Sequence, residues 1–397
     1  MVKKKTILHI ANYFIPDAGY QENQLMRRFS KINDAEYSIV SVAKNYPIDG
    51  GYEHLANVFI ERDITPGKYV EEGVTSFRLS ARFEKRQRIW LKGLYDVIRE
   101  VDPDVIFVHG ATNLNTLRIA LHKKFFAKKN YKLIVDDHIA KELLNSSVGA
   151  WVFYFFYRTF FANFLSSQTD VFIPCAKGIE SVMKGTYGLK GDFQVIEHGS
   201  DHTIFYPSKD LRNNFRSLHN IDDSQFLMLY TGRIIKEKKV GLLIDVFAEL
   251  QPSHPNIKLM IIGYSDTVYL QKLKNQVRLR NLEDYICFSG PVKNNELGGV
   301  YNGGDLVVWP DGITMSSIEA CMCGLPSIMR NLPVNAERLN GGNAGVLFDS
   351  DKDLLDAVRR VIEDDNFRDS LSTEGLKCSV DRSWLSKAAN FHKISVD

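Results

Sequence analysis

DLVVWPDGITMSSIEACMCGLP, residues 305–326, is the stretch on which the reading of this chain turns. LVVW shows no polar alternation, so it reads as a strand buried on both faces. DGITM follows as a loop, and SSIEACM then reads as a helix carrying one acid, Glu319, among small and apolar neighbours. Two explanations compete for that acid. Ser316-Ser317-Ile318-Glu319 fits the S-x-x-E capping box, in which serine and glutamate satisfy orphan amides at a helix start. Alternatively, a strand that ends in a loop and then a helix presents backbone N–H groups at the carboxyl edge of a sheet, where phosphates bind. A carboxylate placed there can accept hydrogen bonds from the hydroxyls of a ribose or sugar. On this stretch alone both explanations stand.

The same strand–loop–helix unit recurs on either side. TILHIA, YSIVSVA, VTSFRLS, DVIFVHG, KLIVDDH and DVFIPCA read as strands of a first set, with helical patterns such as ENQLMRRFSKI and WLKGLYDVIREV between them. FLMLYTGR, IKLMIIG, ICFSG, LVVWP, PSIMR and AGVLF form a second set, separated by VGLLIDVFAELQ, VYLQKLKNQVRL and ELGGVYNG. Such alternation predicts an α/β fold of parallel sheets covered by helices. Two sets predict two doubly wound, Rossmann-like domains, over residues 1–196 and 211–380. Turn residues in EHGSDHTIFYPSKD, 197–210, mark the linker between them. Residues 381–397 are expected to form a C-terminal helix packing back towards the first domain.

A chain of 397 residues is too long for one ordinary core. With 44% hydrophobic and 25% charged residues, its composition is that of a soluble globular protein. A net charge of +2 gives no reason to expect a nucleic-acid partner. Five scattered cysteines point to a reducing, cytoplasmic compartment rather than a disulfide framework. Cys321 and Cys323 lack zinc-ligand spacing and read as small core residues. No secretory signal is visible, and the most apolar segment, WVFYFFYRTFFANFL at 151–165, is too short to span a bilayer and is interrupted by Arg158.

Doubly wound sheets bind their ligands at the carboxyl ends of strands. There the first domain offers Gly19, His109 and Gly110, then Asp136, Asp137 and His138. The second offers Gly232 and Arg233 with Lys236, Lys238 and Lys239 just beyond, then Gly263, Gly290 and the Asp311 loop. Each has a plainer reading: a solvated arginine, an exposed helix start in KEKK, a hydrogen-bonded structural histidine. Their convergence on sheet edges favours an anion of several charges, which glycine amides approach and Arg and Lys neutralise. No P-loop lysine motif, no strand followed by G-x-G-x-x-G, no H-E-x-x-H, no paired C-x-x-C and no G-x-S-x-G occurs. No metal site is implied.

In order and spacing these segments resemble glycosyltransferase family 4, the retaining, nucleotide-sugar-dependent enzymes of GT-B fold. TGRIIKEKKVGLLIDVFAEL is similar to the family's G-R-x-x-x-x-K segment, and DGITMSSIEACMCGLP to its E-x7-E segment. CFSGPVKNNELGGVYNGGDLVVWP, which holds Val292, resembles the run before its donor site. HGSDHTIFYP resembles its interdomain linker with His198 where Asn is usual, and PDAGYQEN its first-domain glycine loop with Tyr20 replacing a second glycine. The first acid of E-x7-E falls on Asp311, one methylene shorter than Glu, and Thr314 and Met315 stand where the family has Gly-Leu.

The resemblance implies two domains facing across a cleft that closes during the cycle, with a hinge near Gly199. It implies that Glu319 accepts from the ribose hydroxyls and that Arg233 and Lys238 hold the diphosphate. Asp311 would orient the transferred sugar and His138 approach it from the first domain, while Gly19 lets the first loop come close. Gly232, Gly263, Val292 and the amides near Thr314 and Met315 complete the donor site. Attack on the leaving-group face, with a donor phosphate oxygen taking the acceptor proton, would retain configuration and need no cofactor or divalent metal. UDP is the favoured nucleotide, a hexose or N-acetylhexosamine the sugar, and a glycan or lipid-linked saccharide the acceptor, in bacterial surface polysaccharide or glycolipid assembly. ARFEKRQRIWLKGLYDVIR, with Arg82, Arg86, Arg88 and Trp90, reads either as a face for an anionic membrane or as a solvated basic helix beside a buried aromatic one. The competing functions are a non-catalytic GT-B nucleotide-binding or scaffold protein, and a nucleotide-sugar epimerase.

Overall fold

The computed structural model describes residues 4–16, 19–32, 34–47, 61–85, 88–144, 147–265 and 267–396. It divides into two units, Met1–His198 with Leu385–Asp397, and Gly199–Trp384. The first unit holds β1 (Lys5–Ile10), β2 (Ala35–Val42), β3 (Gly67–Glu71), β4 (Val74–Leu79), β5 (Ala81–Lys85), β6 (Arg88–Leu91), β7 (Val105–His109), β8 (Lys132–Asp137) and β9 (Val171–Pro174). The second holds β10 (Phe226–Thr231), β11 (Ile257–Ile262), β12 (Ile286–Ser289), β13 (Leu306–Trp309), β14 (Ser327–Arg330) and β15 (Val346–Phe348).

The first sheet runs β3-β4-β2-β1-β7-β8-β9. It is parallel except for its edge, where β3 pairs antiparallel with β4 through the turn at Glu72 and Gly73. Neither that strand nor the β5–β6 hairpin was expected from the sequence. The basic stretch from residue 81 is therefore not a helix as far as Leu91: Ala81–Lys85 and Arg88–Leu91 pair antiparallel. Helix begins at Leu94, directly after Gly93 turns the chain with φ +80°. The C-terminal helix, Trp384–Val396, packs on the first unit from Leu385 onward. There Phe391 meets Phe107 with ring centroids 5.4 Å apart, and Lys132 Nζ donates to Ile394 O at 2.6 Å.

The second sheet is parallel throughout, in the order β12-β11-β10-β13-β14-β15. Its central strands are apolar because helices cover both faces: Leu227, Met228, Leu229 and Tyr230 of β10 are all buried. Cys321 and Cys323 are buried in this unit's core.

In each sheet the chain reverses direction once. β1 lies between β2 and β7, and β10 between β11 and β13. The strands on either side of such a reversal part their loops at the carboxyl end and leave a crevice there. The candidate residues of each unit gather near these two places.

Candidate functional site

In the second unit the crevice opens between the loops after β10 and β13. Trp309 Nε1 donates to Thr231 O at 2.7 Å and ties the two strand ends together. Gly232 and Gly263 meet at the ends of β10 and β11. A Cβ on Gly263 would fall 1.8 Å from Gly232 O, so this approach requires glycine. Arg233 is exposed beside them. Lys238 reaches under the Asp311 loop, where its Nζ donates to Ile313 O at 3.0 Å. A Cβ on Gly312, which has φ +81°, would lie 2.5 Å from that Nζ. Burial depresses the Lys238 pKa, and the like charges of Arg233 and Arg338 add to it against the opposing pull of Asp311. Three cations thus crowd one crevice, an arrangement that favours a polyanion.

The two carboxylates of the E-x7-E segment behave differently. Asp311 Oδ2 lies 2.8 Å from Lys239 Nζ and 3.5 Å from Arg330 Nε, and its Oδ1 accepts from the Gly312 amide at 2.7 Å. Glu319 makes no capping box. The helix Ser316–Met322 starts after Met315 without a side-chain cap, and Ser317 Oγ donates to Thr314 O at 2.9 Å. Glu319 turns instead to Tyr301, whose hydroxyl donates to its Oε2 at 3.3 Å and also meets Thr231 Oγ1 at 3.1 Å. Burial pushes the Glu319 carboxyl up to about 7, while hydrogen bonds from Tyr301, Ser316 and Asn294 pull the other way. An acid in that state can accept or donate at neutral pH. Thr314 and Met315 sit in the loop itself, and Val292 lines a cavity of about 700 Å³ that also takes in Ser289 and Glu296.

In the first unit the crevice gathers histidines around one carboxylate. Asp136 Oδ2 accepts from Gln21 Nε2 at 2.9 Å and meets His138 Nε2 at 3.0 Å. His109 Nδ1 lies 2.7 Å from the same oxygen, and its Nε2 meets His9. Burial opposes the charged form of His138, but Asp136 outweighs it and the imidazole is raised to about 9. His138 is therefore a cation at neutral pH, with about a third of its side chain (34%) open to solvent. Burial and the neighbouring His109 drive His9 the other way. Asp137 is held by the amides of Ala111 and Ile139 at 2.9 and 2.8 Å. Gly19 precedes the helix Gln21–Phe29, which carries Gln21 to Asp136. A pocket of about 250 Å³ opens beside His138, lined by Tyr13, Tyr20, Asn45, Tyr46 and Asn113 among others. Among the described residues, His109, Asp136 and His138 are the group with the donor set for a metal ion, their ligand atoms within 4.8 Å of one another.

The basic and aromatic residues form a third patch, on the first unit. Arg82, Arg88 and Trp90 are exposed on the hairpin; Arg86 lies outside the described residues. The Arg88 guanidinium sits 4.3 Å from the Phe153 ring, and Arg118 sits 4.3 Å from the Trp90 ring. The aromatic segment is helical over Val148–Phe156, passes through a wide π-type turn at Tyr157–Phe161, and continues over Ala162–Gln168. It is not the buried helix that was one of its two expected forms. Trp151, Phe155, Phe156 and Phe160 are each more than half exposed, at 67, 53, 51 and 63%. No described helix is long and apolar enough to cross a membrane.

Sequence reasoning missed Tyr301, Arg330, Asn335 and Arg338; it placed Lys239 at the strand end but not its pairing with Asp311. Tyr301 stood in a helix whose pattern is filled by glycines. The others carry no local signal, because each acts through a contact formed only on folding.

Residues 212–377, within the second unit, match the family model for glycosyl transferases group 1. The chain as a whole has the GT-B fold of two Rossmann-like domains. It superposes on HepE from Anabaena, solved in complex with UDP, with a TM-score of 0.74 over 98% of this chain and 99% of that one, at 16% identity. Among curated relatives it is 26% identical over 302 residues to alpha-monoglucosyldiacylglycerol synthase of Acholeplasma laidlawii, covering 64% of this chain and 75% of that one. It is 26% identical over 225 residues to the capsular polysaccharide biosynthesis glycosyltransferase CapM of Staphylococcus aureus, covering 53% of this chain and 56% of that one.

Proposed function

We propose that this chain is a glycosyltransferase of family 4 that transfers a hexose or N-acetylhexosamine, with retention of configuration, from a nucleotide diphosphate sugar to a glycan or lipid-linked saccharide. The observation that carries the reading is the crowding of Arg233 and Lys238 at the Asp311 loop, with Glu319 on the helix that follows it. Cations there neutralise a diphosphate and stabilise the charge that grows on it as the glycosidic bond breaks. Glu319 accepts from the ribose hydroxyls. UDP is the favoured nucleotide, supported by the UDP bound to HepE, a protein of the same fold. His138 takes the sugar-facing role, where its positive charge suits an oxygen gaining negative charge. The acceptor hydroxyl attacks on the leaving-group face and gives its proton to a donor phosphate oxygen. On this reading no divalent ion takes part.

The polar and aromatic pocket beside His138 suits a saccharide acceptor, which stacks on tyrosine and hydrogen-bonds to asparagine. The exposed aromatic helix and the adjoining arginines suit the headgroup region of an anionic membrane. A chain held there would meet a lipid-linked acceptor, and the named activities of the glycolipid and capsule relatives support that pathway.

The test is transfer from UDP-glucose and UDP-N-acetylglucosamine to lipid extracts and oligosaccharides, in EDTA, with the product anomer read by NMR. An α-linked product formed in EDTA is expected. A β-linked product refutes same-face attack. Nucleotide binding without turnover would favour the non-catalytic reading, for which the pairing of Asp311 with Lys239 is the supporting observation.

A further inference from the structure

We infer that Asn335 and Arg338, both on the short helix Pro333–Arg338, are positioning residues that set the Gly312–Met315 loop to receive the donor's diphosphate. This rests on the donor reading above and adds two residues to it.

Successive carbonyls of that loop are each held by a side chain. Asn335 Nδ2 donates to Gly312 O at 3.1 Å and to Arg330 O at 3.0 Å. Lys238 Nζ donates to Ile313 O at 3.0 Å. Arg338 Nη1 donates to Thr314 O, and its Nη2 lies 3.4 Å from Met315 Sδ. In a trans peptide the N–H points opposite to the C=O, and no cis peptide occurs among the described residues. Fixing Gly312 O and Thr314 O therefore turns the amides of Ile313 and Met315 away from the Pro333–Arg338 helix. Donors already set for a developing charge need no reorganisation when it appears.

The holders are themselves held. Asn335 and Arg338 are buried, with 0 and 8% exposure. Arg382 Nη1 donates to Arg338 O at 2.5 Å, and the Arg382 carbonyl accepts from the Ser200 amide at 2.8 Å. Gly312, with φ +81°, gives the loop a bend that it would otherwise be free to leave. Without Arg338, the Thr314 carbonyl loses its charged partner and keeps only the Ser317 hydroxyl, so the Met315 peptide plane is held less firmly.

A residue that merely supported the core would weaken binding of any nucleotide fragment equally. One that positions amides for phosphate weakens the diphosphate alone. The experiment is calorimetry on wild type, Arg338→Met and Arg338→Lys with UDP and uridine, or with the diphosphate and nucleoside whose base wild type selects from UDP, GDP, ADP and dTDP. Arg338→Met should lower diphosphate affinity roughly 10- to 100-fold, the range of one charged hydrogen bond, and leave nucleoside affinity within about twofold. Arg338→Lys should recover part of the loss. Should Arg338→Met not fold, Arg338→Gln is measured in its place with the same expectation at about fivefold. Equal losses for diphosphate and nucleoside, or an unchanged diphosphate affinity, overturn the inference while leaving the donor reading intact. Wild type that binds no nucleoside diphosphate overturns both.

Discussion

Replacing Glu319 with glutamine should stabilise the protein and weaken nucleotide binding at the proposed donor site. The carboxyl is pushed from its ordinary 4.5 up to about 7 by burial. At about 1.4 kcal/mol for each pH unit of displacement, keeping it ionised in the folded state costs roughly 3 kcal/mol. Between pH 4.5 and about 7 the folded protein holds more protons than the unfolded chain, so wild-type stability should fall as pH rises through that window and stay low above it. Glu319→Gln keeps an acceptor for the Tyr301 hydroxyl and removes the charge. At pH 8 it should gain about 2–3 kcal/mol, on the order of 5 °C in Tm for a unit of this size, and lose the pH dependence. A carboxylate accepting from ribose hydroxyls contributes about 1.5–3 kcal/mol, so nucleotide affinity should drop roughly 10- to 100-fold. In wild type that affinity should also rise with pH through about 7. Thermal melts at pH 5 and 8 with calorimetry on both proteins read each quantity. A variant that melts lower than wild type at pH 8 and binds nucleotide normally would show that Glu319 is structural after all.

Gly263→Ala drives a methyl group to within 1.8 Å of the Gly232 carbonyl, which is backbone and cannot swing aside. It should cost more than about 3 kcal/mol, seen as a collapse of the second unit's melting transition. For His138 the folded pKa is raised to about 9, so the stability its pairing with Asp136 contributes is full below about 6.5 and fades as pH rises through 9. The Tm difference between wild type and His138→Gln, followed from pH 6 to 10, should shrink across that range; a constant difference contradicts the pairing. On the aromatic patch, Trp151→Glu with Phe156→Glu should reduce flotation with phosphatidylglycerol vesicles at least about tenfold without altering nucleotide affinity. Unchanged flotation would remove the membrane reading.

Most of the fold was legible because a parallel sheet covered on both faces leaves a plain mark. FLMLYT is β10 residue for residue, and the loops that follow such runs carry the glycines and cations that line the second crevice. The β5–β6 hairpin was not legible. Its basic and aromatic residues spread over both strands, and only Gly93 marked where strand stops and helix begins. The aromatic helix is apolar on every side, so no periodicity could say which face is buried; packing decides, and it covers Tyr157 and Leu165 while leaving Trp151 and Phe160 outside. The S-x-x-E pattern at Ser316 satisfied a capping rule that folding did not use, since a buried tyrosine on a neighbouring helix claimed the acid first. Arg338 and Asn335 could not be found from spacing, because the loop carbonyls they hold, Thr314 O and Gly312 O, are distant in sequence.

The central claim is that the β10–β13 crevice binds a nucleoside diphosphate. Calorimetric titration of the wild-type chain with UDP, GDP, ADP and dTDP, each with and without EDTA, tests it most directly. Micromolar or tighter binding of one of them, UDP foremost, unchanged by EDTA and lost in Lys238→Met, is expected. No binding to any of the four, or binding that Lys238→Met leaves intact, would contradict it.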